Sequence, residues 1–137
     1  MSDKLSHLIK LVDSMPEPQA KVLLQKLFQE NPLVAFKIIS RQFDFVDLKY
    51  ADDAGVSALF EGVPSHLLML ALNGAEDTLV RRFTDCMGTN EATEFIQSLY
   101  ASRASDAAIK EARKKILVKA FLLKKRGALR LSRPGID

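Results

Sequence analysis

The sequence predicts an all-α fold, a bundle of about eight helices, and three observations predict it. Apolar residues recur three and four positions apart along most of the chain. No stretch alternates apolar and polar residues for the length of a strand. Glycine and proline number only 6 and 5 in 137 residues and fall mostly between the periodic segments.

Each element follows from its own signals. Leu5, Leu8, Ile9 and Val12 form the stripe of a first helix, and Ser14, Pro16 and Pro18 punctuate the chain before a second that carries Leu23, Leu24, Leu27 and Phe28. Asn31 is placed to cap a third helix with Pro32 at its first position, and Phe36 and Ile39 line its inner face. The stretch "SRQFDFVDLKYADD" has no helical period, so it reads as an extended connector that ends at a cap on Asp52 or Asp53. A short helix through Val56, Leu59 and Phe60 follows. Gly62 and Pro64 interrupt it before "SHLLMLALN", whose apolar residues surround the helix and predict near-complete burial.

Asn73-Gly74-Ala75 reads as a tight corner with a left-handed glycine, and Glu76 and Asp77 complement the next helix N-terminus. That helix runs to a glycine stop at Gly88. Thr89 or Asn90 then caps "EATEFIQSLYA", and Ser105 or Asp106 opens a long final helix ending at Gly127. In the final helix Ile109, Ala112, Ile116, Ala120 and Leu123 share one face, while Val118, Phe121 and Leu122 lie opposite. A buried hub explains both faces better than a second face kept for a partner.

Composition narrows the function. A single cysteine, Cys86, closes no disulfide within the chain and fits a reducing compartment. No apolar run approaches the thickness of a bilayer. The net charge of +3 hides an asymmetry: residues 106–137 carry ten Lys or Arg against three acids, residues 1–105 ten against fourteen. The basic cluster Arg113, Lys114, Lys115, Lys119, Lys124, Lys125, Arg126, Arg130 and Arg133 lacks interleaved stacking aromatics beyond Phe121, so a solvated face is its first reading. An acidic protein or anionic membrane surface comes second and nucleic acid third.

No catalytic, cofactor-binding or metal-binding residues are expected. His7 and His66 stand far apart without ligand partners, Cys86 reads as a small packed side chain, and Asp52-Asp53 and Glu76-Asp77 sit at helix starts where capping explains them.

Five segments in order, "ENPLVAF", "QFDFVDL", "ADD", "LALNGA" and "EARKKIL", resemble the C-terminal half of the flagellar motor switch protein FliG, over roughly the last four fifths of the chain. They stand where that family has an acidic Asp-Pro helix start, a Met-Phe-x-Phe hinge, paired aspartates, a Leu-Ala-Leu-Lys-Gly-Ala corner and a Lys-Lys-Ile core. The resemblance implies an armadillo-like, right-handed helical bundle in three parts. These are N-terminal helices over 1–42 that match the end of the family's middle domain, an armadillo-like unit over 43–74 entered through a hinge at Phe43 to Phe45, and a C-terminal helical subdomain over 75–137. It implies a cytoplasmic protein near the flagellar basal body that docks on the switch proteins FliM and FliN, associates with its own copies, and catalyses nothing.

Departures from the family pattern shape that expectation. Of the charged ridge offered to the stator, only the first basic position persists, as Arg82 with Arg81 beside it. Asn90, Gln97, Ser98 and Ser105 occupy the other charged places. Torque through the usual charge contacts, and with it stator binding, is therefore not expected. The last helix ends "LLKKRGAL" where the family is acidic. The family's N-terminal domain and its Glu-His-Pro-Gln site are missing, and the Met1 start reads as a short stand-alone relative. The expected partner-binding residues are exposed apolar side chains, Phe43, Phe45, Leu48, Leu68 and Met69, with Arg81 and Arg82 adding steering. Lys114, Lys115, Lys124 and Lys125 carry the second reading, a diverged regulator or adaptor that holds an anionic partner.

Overall fold

A computed structural model describes residues 2–132, with side chains from Lys4 onward. Arg133, counted in the basic cluster, lies outside the described residues. Among the described residues eight α-helices follow one another: α1 (Ser2–Ser14), α2 (Glu17–Glu30), α3 (Pro32–Ser40), α4 (Asp53–Gly62), α5 (Ser65–Leu72), α6 (Asp77–Thr84), α7 (Thr89–Ala101) and α8 (Asp106–Lys125). No strand occurs among the described residues; one isolated antiparallel bridge joins Ala51 to Leu131. The all-α expectation and the number of helices both hold.

The hub reading of the last helix holds as well. α8 packs on α2, α3, α4 and α5, and Ala112, Ile116, Leu117, Val118, Ala120, Phe121, Leu122 and Leu123 are all buried along it. Its twenty residues span about 30 Å, long enough to serve all four neighbours. Buried side chains from Val12 to Leu131 form one cluster around it. Its start and stop are those the sequence dictates. Ser105 Oγ accepts from the Ala108 N–H at 3.2 Å. Beyond Lys125, Gly127 adopts a left-handed φ of 81°, and the Ala128 N–H closes on the Leu123 carbonyl at 2.8 Å.

The chain then turns back onto the start of α4. Asp52 accepts from the Gly55 N–H at 3.0 Å as its cap, and the same oxygen accepts from the Arg130 N–H at 3.1 Å. The Asp52 N–H in turn donates to the Arg130 carbonyl at 3.0 Å, so one aspartate starts a helix and fixes the returning tail, with Leu129 and Leu131 buried beside it.

Several local expectations are corrected. The aromatic and acidic connector is not extended throughout: Phe45–Tyr50 forms a 3-10 helix, opened by the Asp44 N–H donating to Asp47 Oδ2 at 2.8 Å. Six residues with a three-residue repeat leave no 3.6-residue signature to read. Asn31 does not cap α3 with its side chain; its carbonyl instead accepts from Val34 and Ala35 at 3.1 and 3.3 Å. The helix expected to run to Gly88 ends at Thr84, and Gly88, with φ of −65°, stands instead as the cap residue of α7, with Thr89 already helical. α5 is less buried than its composition predicts, with Leu67, Met69 and Leu70 half-buried. Phe36 is 38% exposed rather than inward, while Ile39 is buried as expected.

Among the described residues no single helix is long and apolar enough to cross a membrane; α4 and α5 reach that length and composition only together, bent by 118° at the break between them.

Candidate docking surfaces

Most of the expected apolar contacts turn inward. Phe43, Leu48 and Leu68 are 2%, 0% and 3% exposed, so the expectation that they stand exposed is corrected. The 3-10 helix between Phe43 and α4 packs on α6, and that packing takes Leu48 into the core. Phe45 is half-buried, with the Arg113 guanidinium 5.0 Å from its ring centre. Met69 is half-buried and lines a groove of about 370 Å³ between α5 and α7, with Met87, Phe95 and a rim of Glu91 and Glu94.

The large apolar side chains that do face solvent are others: Leu11, Val22, Leu33, Phe36, Val46 and Tyr100, with Leu33 at 73%. Leu33 and Phe36 stand one turn apart on α3, and Phe36 meets Phe28 edge to face at 4.9 Å between ring centres. Sequence reading missed this pair because both residues fit the period of an inner face. The signal that could have found it is the short, strongly apolar run "PLVAF", which has more apolar residues than a single face can bury.

The two arginines of α6 separate. Arg81 is exposed. Arg82 is half-buried, ion-paired to Asp53 at the first turn of α4 and hydrogen-bonded to Cys86 Sγ at 3.2 Å. Burial alone would lower the Arg82 pKa, but the hydrogen bonds to Cys86 and Asp53 outweigh it and leave it raised. Arg82 is therefore a clamp between α6 and α4, and Arg81 alone points its charge outward from this pair. At the other ridge places Asn90, Gln97 and Ser98 are exposed and neutral, and Ser105 is occupied as the α8 cap.

The basic helix divides in the same way. Lys125 donates to the carbonyls of Val12 and Asp13 at the end of α1, and Lys124 donates to Gln42 Oε1 at 3.1 Å. Arg113 donates to the carbonyls of Ala71 at 2.8 Å and Asn73 at 3.2 Å, closing α5, and desolvation lowers its pKa. Arg126 reaches Glu17 at 3.4 Å. Lys114 pairs with Glu111 one turn back at 2.7 Å, whereas Lys115 is exposed. A sequence cannot separate a lysine that closes another helix from one that faces water, since the carbonyls in question lie more than 100 residues away.

His7 and His66 are exposed on α1 and α5, and among the described residues no three His, Cys, Asp or Glu side chains could hold a metal ion. Cys86 is half-buried, its thiol donating to Asp53 Oδ1 at 3.6 Å.

These features define a small helical protein in which several charged side chains close helix ends and bridge helices. Its family is shown by the sequence: the model of the FliG C-terminal domain matches residues 25–131, and the chain belongs to that family. The flagellar motor switch protein FliG of Thermotoga maritima is 28% identical over 127 residues, covering 92% of this chain and 38% of that protein. FliG of Aquifex aeolicus is 26% identical over 92 residues, covering 67% of this chain and 28% of that protein. The chain thus spans about a third of the length of these relatives.

In three dimensions the chain is similar to a FliG fragment of H. pylori, residues 86–343, with a TM-score of 0.63 at 19% identity over 90% of this chain and 58% of that one. It is similar also to full-length FliG of Aquifex aeolicus, with a TM-score of 0.62 at 22% identity over 90% of this chain and 39% of that one. At these identities the superpositions speak for the fold.

Proposed function

We propose that the chain is a non-enzymatic docking module of the flagellar switch that binds FliM-like or FliN-like proteins, with self-association as a second contact. The family match over residues 25–131 carries this reading. The units 1–42, 43–74 and 75–137 are proposed as its inherited parts, working at the cytoplasmic face near the basal body. The contact surface is moved from the residues expected first. Leu33 and Phe36 on α3, Met69 in the α5–α7 groove and the outer edge of Phe45 offer apolar area to a partner, where Phe43, Leu48 and Leu68 do not. Arg81 supplies steering.

A torque-generating role is disfavoured by one observation. Arg82, the remaining basic position of the ridge, is tied to Asp53 and Cys86, and the other ridge places, Asn90, Gln97, Ser98 and Ser105, are neutral, so beyond Arg81 little of the ridge charge is left for a complementary stator surface.

Calorimetric titration of the purified chain with FliM and FliN from the same cells tests the reading. Binding to at least one, weakened by Leu33→Asp with Phe36→Asp and less by Arg81→Glu, is expected. Failure of both proteins to bind the folded chain would overturn it.

A further inference from the structure

A second groove, of about 550 Å³, runs between α2 and α8. Its walls carry Lys21 from α2 and Lys114, Lys115 and Lys119 from α8, and its floor is apolar, built on Phe28 and Val118. The acid at one end, Glu17, is paired with Arg126, so the lysines face the groove with little local compensation beyond Glu111 on Lys114. Lys119 passes close to the end of α4, where a Cβ on Gly62 would come within 2.4 Å of Lys119 Cε, and a helix C-terminus favours an ammonium group. From Glu17 to Gln29 the α2 wall extends roughly 18 Å, about three turns of a guest helix.

We propose that this groove docks an acidic amphipathic helix of a partner protein, its apolar stripe on the floor and its carboxylates against the lysines. The inference goes beyond the switch-protein reading and does not depend on it. Two features select this occupant among anions. Phe28 cannot stack a nucleic-acid base, since the Phe36 ring lies against it at 85° and the Lys114 ammonium sits 5.7 Å from its centre. Recessed between two helices, the apolar floor is out of reach of a flat lipid surface, whereas a helix can enter.

The probe is a synthetic amphipathic helix of about 15 residues, leucines on one stripe and glutamates flanking it, titrated into the whole chain by fluorescence anisotropy at low and physiological salt. A scrambled peptide of the same composition, oligothymidylate and phosphatidylserine vesicles are run beside it. The helix is expected to bind, the scrambled peptide about tenfold more weakly, and Lys21→Glu with Lys115→Glu to weaken the helix about tenfold. Both lysines are exposed, so the fold is expected to survive, as checked by circular dichroism; Lys21→Gln with Lys115→Gln replaces the pair if it does not. The proposal is overturned by no binding, by equal binding of the scrambled peptide, by indifference to the substitutions, or by tighter binding of oligothymidylate or vesicles.

Discussion

Lys125 Nζ lies 2.8 Å from the Val12 carbonyl oxygen, so the end of the longest helix closes the end of the first, 113 residues earlier. A second bond, 2.6 Å to the Asp13 carbonyl, completes the contact. The last carbonyls of a helix have no partner within it and carry partial negative charge, and α1 has no basic residue of its own in its last turn. Lys125→Met keeps most of the aliphatic stem and removes the donors. It is expected to lower stability by about 1–2 kcal/mol, read as a fall in the urea midpoint, with the earliest loss of amide protection in α1.

Asp52 makes a comparable tie with one oxygen. Its Oδ1 accepts from Gly55 as the cap of α4 and from Arg130 in the returning tail. Asp52→Ala removes both bonds and leaves a part-buried N–H without its acceptor, a loss expected at about 2 kcal/mol. Asp52→Asn keeps an oxygen and is expected to retain more than half of that. Thermal melts of the three proteins check the order, and equal melting of Asp52→Ala and the parent would show that the tail does not need this anchor.

How far the fold could be read from the chain follows from which forces are local. Caps on Asp52 and Ser105, left-handed glycines at 74 and 127, and Pro32 at a helix start act within four residues, so their signals stand in the sequence. The burial of apolar residues on opposite faces of α8 was also legible, because only packing on more than one side accommodates them. The docking surface was not. Phe43 and Leu48 sit in a string of alternating aromatics and acids that reads as exposed, yet both are buried, Leu48 within the 3-10 helix and Phe43 just ahead of it. Lys124 and Lys125 read as surface charge because their acceptors, Gln42 and Val12, are neighbours only in space.

Two glycines separate backbone strain from crowding. Gly74 has φ of 75° and open space where a Cβ would stand, so Gly74→Ala is expected to cost only the left-handed conformation, about 1 kcal/mol. Gly55 carries no such strain, but a Cβ there would lie 2.6 Å from Asp52 Oδ1 and 2.7 Å from Leu129 Cγ. Gly55→Ala therefore crowds the cap and the tail together, and about 1–3 kcal/mol is expected. A Gly55→Ala, Asp52→Ala double variant checks the mechanism: part of the two losses is shared, so the sum of the single effects overestimates it.

Two exposed ties at the start of α6 give opposite responses to pH. The hydrogen bond from Lys49, aided by one from Thr78, lowers the Glu76 pKa. Its contribution is present above the ordinary glutamate value and lost as pH falls through the lowered one. Tyr100 donates to Asp77 Oδ1 at 3.0 Å, and that bond raises the phenol pKa. Here the neutral form is favoured by folding, so the contribution is full below the ordinary tyrosine value and is lost as pH rises through the raised one. Tm measured against pH for Glu76→Gln and Tyr100→Phe checks both signs. The gap between Glu76→Gln and the parent is expected to close on the acid side, and the gap for Tyr100→Phe on the alkaline side. A gap for Tyr100→Phe that widened with alkali would show that Asp77 is not its acceptor in solution.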